Sequence, residues 1–168
     1  AERPILRSLL REPENDGLIP FINEQLRQTA LALDVSDVYV LDRSGTTLAA
    51  SSYRTDRSFV GRNFAFRPYF TEAIDGGIGR FHALGTTSGE RGYFFAAPVL
   101  DGTETPGVVA VQTTLDAFDA TWDDRATPVI VQDMAHVFFL SDRPAWHFRT
   151  FGQMADAALE SILTTRPY

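Results

Sequence analysis

"SDVYVLDRSGTTLAASS", residues 36–52, is the stretch from which the fold is read. Its two halves, rich in Val, Tyr, Thr and Ala, flank the polar turn Asp42-Arg43-Ser44-Gly45. Side chains alternate across a pleated strand, so this pattern predicts a β-hairpin with Val38, Val40, Leu48 and Ala50 facing one side. Upstream, "RPILRSLLREP" (3–13) and "GLIPFINEQLRQTALALD" (17–34) carry apolar residues at helical spacing. In the second, Leu18, Phe21, Ile22, Leu26, Ala30 and Leu33 form one stripe. Downstream, "RPYFTEAIDGG" (67–77) predicts a short helix, with Pro68 in its first turn and Gly76-Gly77 ending it. "IGRFHALGTT" (78–87) and "RGYFFAAPVL" (91–100), joined by Ser88-Gly89-Glu90, read as two strands, and "TPGVVAVQTTL" (105–115) as a fifth. "DAFDATWDD" (116–124) reads as a short amphipathic helix.

Five strands, with helices before the first pair and one inside the set, do not alternate as βαβ units do. The expected class is α+β: a long N-terminal helix and a five-stranded antiparallel sheet of PAS-like form. After Asp124 the pattern restarts. "TPVIVQDMAHVFFLS" (127–141) predicts a hairpin, "AWHFRTF" (145–151) a strand and "GQMADAALESIL" (152–163) a helix. The expected divisions are a helical, dimerising segment over 1–34, a ligand-binding module over 35–124, and a second PAS-like module over 125–168. The last is too short to stand alone, so it is read as small or incomplete.

The chain has 168 residues, a net charge of −7, 44% hydrophobic and 12% aromatic residues, enough to furnish a packed core. Its acidic balance speaks against nucleic acid and against adsorption to an anionic membrane surface. No cysteine is present, which removes disulfides, thiol nucleophiles and thiolate metal sites together. No run approaches the roughly 20 apolar residues of a membrane span. The abrupt beginning and end suggest a piece of a longer protein, with any membrane segments outside it.

Catalytic chemistry finds little support. His82, His136 and His147 lack ligand spacing, and no cofactor fingerprint is present. Ser88 beside Gly89 lacks the nucleophile elbow of a hydrolase, leaving Ser88 and His82 as a poor catalytic pair. The expectation is a binding domain, with no cofactor. One constellation remains. Arg67 stands among aromatic rings in "GRNFAFRPYFTEA" (61–73), where a cation needs a partner. If the strands pair as expected, it lies over the sheet near Thr86, Ser88 and Gln112, with Tyr69, His82 and Tyr93 as walls. A planar guanidinium and nearby hydroxyls suit a small carboxylate. The alternative is structural: Arg67 paired with Glu72 or Asp75, and the aromatic residues forming core.

"SFVGRNFAFRPYFTEA", "GRFHALGTTSGERGYFFAAPV" and "GVVAVQTTLDAFDATW", following the hairpin in order and spacing, resemble the sensor region of DctB-type proteins. These are membrane-bound sensor histidine kinases that respond to four-carbon dicarboxylates. The resemblance implies an extracytoplasmic (periplasmic) sensor with two PDC modules, PAS-like and of the Cache type. It implies dimerisation through the N-terminal helices, flanking transmembrane helices and a cytoplasmic kinase beyond them. It places a ligand carboxylate on Arg67, Thr86 and Ser88, with Tyr69 and Tyr93 nearby. A chemoreceptor sensor is the alternative parent. Two positions depart from the family pattern: Phe64 stands where relatives commonly carry tyrosine, and Gln112 where they commonly carry lysine. Losing that second cation predicts a ligand less anionic than succinate, or a dicarboxylate held partly by hydroxyl, amide and His82 contacts.

Overall fold

The computed structural model of the chain describes residues 4–15, 17–86, 89–115, 122 and 127–168. Two helices, α1 (Pro4–Arg11) and α2 (Ile19–Leu33), precede strands β1 (Asp37–Asp42) and β2 (Thr47–Ala50). Helix α3 (Pro68–Ile74) follows, then β3 (Gly79–Leu84), β4 (Arg91–Asp101) and β5 (Glu104–Thr114). The N-terminal segment is therefore two helices, of which α2 has 15 residues and ends at Asp34 in a left-handed conformation that caps Ala30 and Leu31. The "DAFDATWDD" helix expected next lies outside the described residues except for Trp122.

The five strands form one antiparallel sheet in the order β2-β1-β5-β4-β3. Its central strand β5 takes the register Asp37↔Gln112 with β1 and Phe94↔Gln112 with β4. Both faces are covered. On one, Leu6, Leu9, Ile22, Leu26 and Ala30 of α1 and α2 pack on Val38, Val40 and Ala49. On the other, α3 and the chain before it pack Phe59, Phe64, Tyr69 and Phe70 on Tyr39, Leu41, Phe94 and Ala110. Residues 37–41 are accordingly buried without interruption, rather than on one side only. The hairpin expectation is corrected at Ala50. A register shift between Val40 and Leu41 pairs Ala50 with Tyr39, putting it on the α3 face while Ala49 faces the helices with Val40.

Beyond the sheet lies a two-stranded hairpin, β6 (Ile130–Gln132) and β7 (Phe138–Ser141), and a helix α4 (Asp156–Thr165). The strand expected at 145–151 does not form. Pro144 opens a 3₁₀ turn through Trp146, and Phe148 takes φ 61°, which breaks extended backbone. The segment still meets β7 through two bonds, Phe148 N–H to the Phe138 carbonyl (2.7 Å) and Phe138 N–H to that of Arg149 (2.9 Å).

Candidate functional site

Helix α3 fixes the position of Arg67. Pro68 presets its first turn, and the Phe70 and Thr71 N–H groups bond the Arg67 carbonyl. Gly79 lets β3 run directly beneath: a Cβ there would stand 1.9 Å from the Tyr69 carbonyl oxygen. The helix therefore lies against the sheet, and the Arg67 side chain is carried inward until only 2% of it is exposed.

There Arg67 meets neither Glu72 nor Asp75. Its guanidinium donates to the carbonyls of Thr165 (3.2 Å), Arg166 and Leu84 (3.3 Å). It sits over the rings of Phe66 (5.0 Å) and Phe81 (5.7 Å). Among the described residues no carboxylate pairs with it. Burial pushes its pKa down, opposed only by its phenolic neighbours. A buried guanidinium held by neutral acceptors alone is an uncompensated positive charge.

Arg67 borders a cavity of about 10 Å³, walled by Tyr39, Phe59, Phe64, Tyr69 and Thr86. That is room for one water at most. The Tyr39 hydroxyl donates to that of Tyr69 at 2.8 Å, and the Tyr69 ring stacks on Phe94 at 5.3 Å. Phe64 packs against Tyr39 (6.0 Å) and Phe59 (5.5 Å) and forms part of the cavity wall.

Phe59 also borders a second, larger cavity of about 160 Å³ on the same face of the sheet. Asp37, Gln112, Ser36, Ser52 and Thr55 line it, and the exposed ion pair Arg57–Glu90 (3.3 Å) adjoins it. Gln112 is 2% exposed, and its Oε1 is buried with no hydrogen-bond partner among the described residues. It packs against Gly92, where a Cβ would approach its side chain to 3.0 Å. Asp37 is 4% exposed, and one of its oxygens, Oδ1, accepts from the Ser51 hydroxyl and the Ser52 N–H (3.2 Å). Burial raises its pKa above the usual carboxylate value, with those hydrogen bonds pulling the other way.

The structure thus brings Arg67, Tyr69, Thr86 and Gln112 to one face of the sheet. Ser88 lies outside the described residues. His82 and Tyr93 are not brought to this face. They pair with each other across β3 and β4, and alternation turns both away from Phe81 and Phe94, which lie beneath α3. His82 stacks on Phe139 (4.1 Å) and lies 3.6 Å from Asp133, against the C-terminal hairpin. Burial lowers its pKa, and Asp133 opposes that shift. Sequence reasoning missed Tyr39 and Asp37. The signal for both was present, a Tyr and an Asp sharing parity on a strand with an otherwise apolar run.

The segment after α4 closes the Arg67 side. The Pro167 carbonyl accepts from Leu84 N–H at 2.6 Å, extending the edge of β3, and the Tyr168 hydroxyl donates to Asp133. Among the described residues no three groups of His, Asp or Glu converge as metal ligands, and no helix is long and apolar enough to cross a membrane.

No family model matches the chain. The sensor domain of the Vibrio cholerae histidine kinase DctB superposes with a TM-score of 0.93 at 36% identity, over 99% of this chain and 65% of that one. The chain is a sensor domain of the DctB type. The C4-dicarboxylate transport sensor proteins DctB of Pseudomonas aeruginosa and Rhizobium meliloti are 37% and 32% identical to it, over 98% and 96% of this chain. This DctB-type chain spans about a quarter of their length (27% and 26%). More distant structures share the fold alone, among them the Escherichia coli DcuS sensor domain (TM-score 0.58, 18% identity, 74% of this chain and 86% of that one). The ligand-binding domain of the Pseudomonas fluorescens chemoreceptor CtaA, in complex with L-alanine, is another (0.60, 15%, 87% and 63%).

Proposed function

We propose that this DctB-type domain is the extracytoplasmic ligand-binding region of a membrane-bound sensor histidine kinase and takes a small carboxylate on Arg67. The observation that carries this reading is a guanidinium that is buried, lies beside a cavity and has no anionic partner among the described residues. A ligand carboxylate supplies the missing charge in a bidentate geometry that backbone carbonyls do not offer. Thr86 stands at the same cavity to donate a hydroxyl, and Tyr69 walls it.

The cavity beside Arg67 is too small for an organic acid, so binding requires the carbonyls of Thr165 and Arg166 to give way. Residues 165–168 bridge the sheet of the 35–124 module and the 125–168 module. A ligand that displaces them couples its binding to the arrangement of the two modules, which is the differential affinity a signal needs. The kinase, the membrane helices and the periplasmic location belong to the parent protein in this reading. The exposed Phe21, Leu31 and Leu33 of α2 offer an apolar surface for pairing two copies through the N-terminal helices.

Titration calorimetry with succinate, malate and butyrate tests the site. Carboxylate binding is expected, and Arg67→Gln is expected to weaken it by about 2 kcal/mol or more, the worth of a charge-assisted pair. Unchanged affinity in a folded Arg67→Gln protein would exclude Arg67 as the clamp.

A further inference from the structure

The cavity between β1, β5 and the 52–59 segment holds two buried acceptors, the Asp37 carboxylate and the Gln112 Oε1, among hydroxyls and the Arg57–Glu90 pair. The Asp37 carboxylate accepts from the Ser51 hydroxyl and the Ser52 N–H, and the Gln112 Oε1 is buried without a donor among the described residues. Among the described residues Arg57 is the one cation lining the cavity, and Glu90 lies 3.3 Å from that charge. The described lining residues therefore carry a net charge of about −1, from Asp37. An orphaned buried acceptor and an unneutralised carboxylate both ask for a donor that carries positive charge.

Across Phe59, which borders both cavities, the situation is reversed: Arg67 is a buried cation without an anion among the described residues. Asp37 and Tyr39 share a face of β1 two residues apart, roughly 7 Å along the strand, and Tyr39 reaches the Arg67 side through the Tyr69 hydroxyl. The described linings of the two cavities taken together are neutral, positive on the Arg67 side of Phe59 and negative on the Asp37 side. A dianion entering them gains a partner for one charge and brings the other against Asp37.

We infer that the ligand of this site is a small zwitterion, an amino acid, whose carboxylate lies on Arg67 and whose ammonium group lies between Asp37 and Gln112. The inference rests on the reading of the α3 face as the ligand site and names the chemistry of its ligand. Gln112 sets the specificity: its neutral amide accepts from the ammonium group and leaves the charge of Asp37 to be met by the ligand. Ser52 and Thr55 hydroxyls line the same cavity for the remaining ammonium protons.

Calorimetry and thermal shift with 3-aminopropanoate, 4-aminobutyrate, alanine, butylamine, butyrate and succinate, at constant ionic strength, decide the matter. 3-Aminopropanoate and succinate space their two end groups alike, so that pair isolates the charge of the second group. At least one zwitterion is expected to bind about tenfold or more tighter than both succinate and butyrate. Asp37→Asn is expected to remove that advantage. Gln112→Lys, which matches Asp37 internally, is expected to invert the preference toward succinate; should Asp37→Asn fail to fold, this variant carries the test alone. Succinate binding to the wild-type protein more tightly than every zwitterion overturns the inference and leaves the site standing. So does a zwitterion whose affinity survives both substitutions. Binding by none of the six compounds overturns the site reading itself.

Discussion

Asp37 and Arg67 are each expensive to bury, and their neighbours determine what their substitution reveals. The folded-state pKa of Asp37 is raised, so its stabilising contribution is full below the unfolded value and is lost as pH rises through the folded one. At neutral pH, above the unfolded value, the ligand-free fold therefore has less of that contribution than in acid. Asp37→Asn is expected to raise the melting temperature at pH 7 and to lose that advantage toward pH 4, as followed by thermal denaturation across that range. The hydroxyl pair Tyr39–Tyr69 gives a second test. Tyr39→Phe strands the buried Tyr69 hydroxyl and is expected to cost about 1–3 kcal/mol in urea denaturation. The double variant Tyr39→Phe/Tyr69→Phe is expected to cost less than the sum of the single ones, because both groups leave together.

At the scale of elements, the decisive contact is α3 against β3. Gly79→Ala forces a methyl group into the Tyr69 carbonyl and is expected to destabilise by about 3 kcal/mol, with loss of the Arg67 cavity. The segment after α4 acts in the other direction. Its carbonyls occupy Arg67, and Tyr168 fastens it to Asp133. Tyr168→Phe loosens that anchor and is expected to tighten carboxylate binding, by about threefold if the anchor contributes the usual 0.5–1 kcal/mol. Weaker binding in that variant would count against competition between the segment and the ligand.

Across the whole molecule, the outer face of β3 and β4 carries the contact with the C-terminal hairpin. His82 stacks there on Phe139, and Arg91 donates to the Phe139 carbonyl at 3.1 Å. Because burial holds the His82 pKa below its ordinary value, the unfolded chain binds its proton first as pH falls. Stability is therefore expected to drop as pH falls through about 6.5, where the unfolded histidine takes up its proton, and His82→Gln to flatten that part of the profile. Hydrogen exchange of residues 130–141 against 37–50 would show whether the loss begins at this contact.

Much of this fold was legible locally. Alternation in residues 36–52, the Pro68 start and Gly76-Gly77 end of α3, and the helical stripe of α2 are short-range properties, and each produced its element. So was the oddity of Arg67, since a cation among Phe64, Phe66, Tyr69 and Phe70 is visible without coordinates. What the sequence left open was which side chains share a space. His82 and Tyr93 looked like pocket walls because parity within a strand gives two faces but not which face α3 covers. Only the pairing of β3 with β4 and the docking of α3 assigned them to the other side. Register likewise put Asp37 opposite Gln112, 75 positions apart, and so brought two buried acceptors with no local relation to one cavity. Local pattern is set by backbone geometry and neighbours in the chain. The charge balance of a buried site is set by residues that meet only when the sheet closes, and that was decided by the tertiary structure.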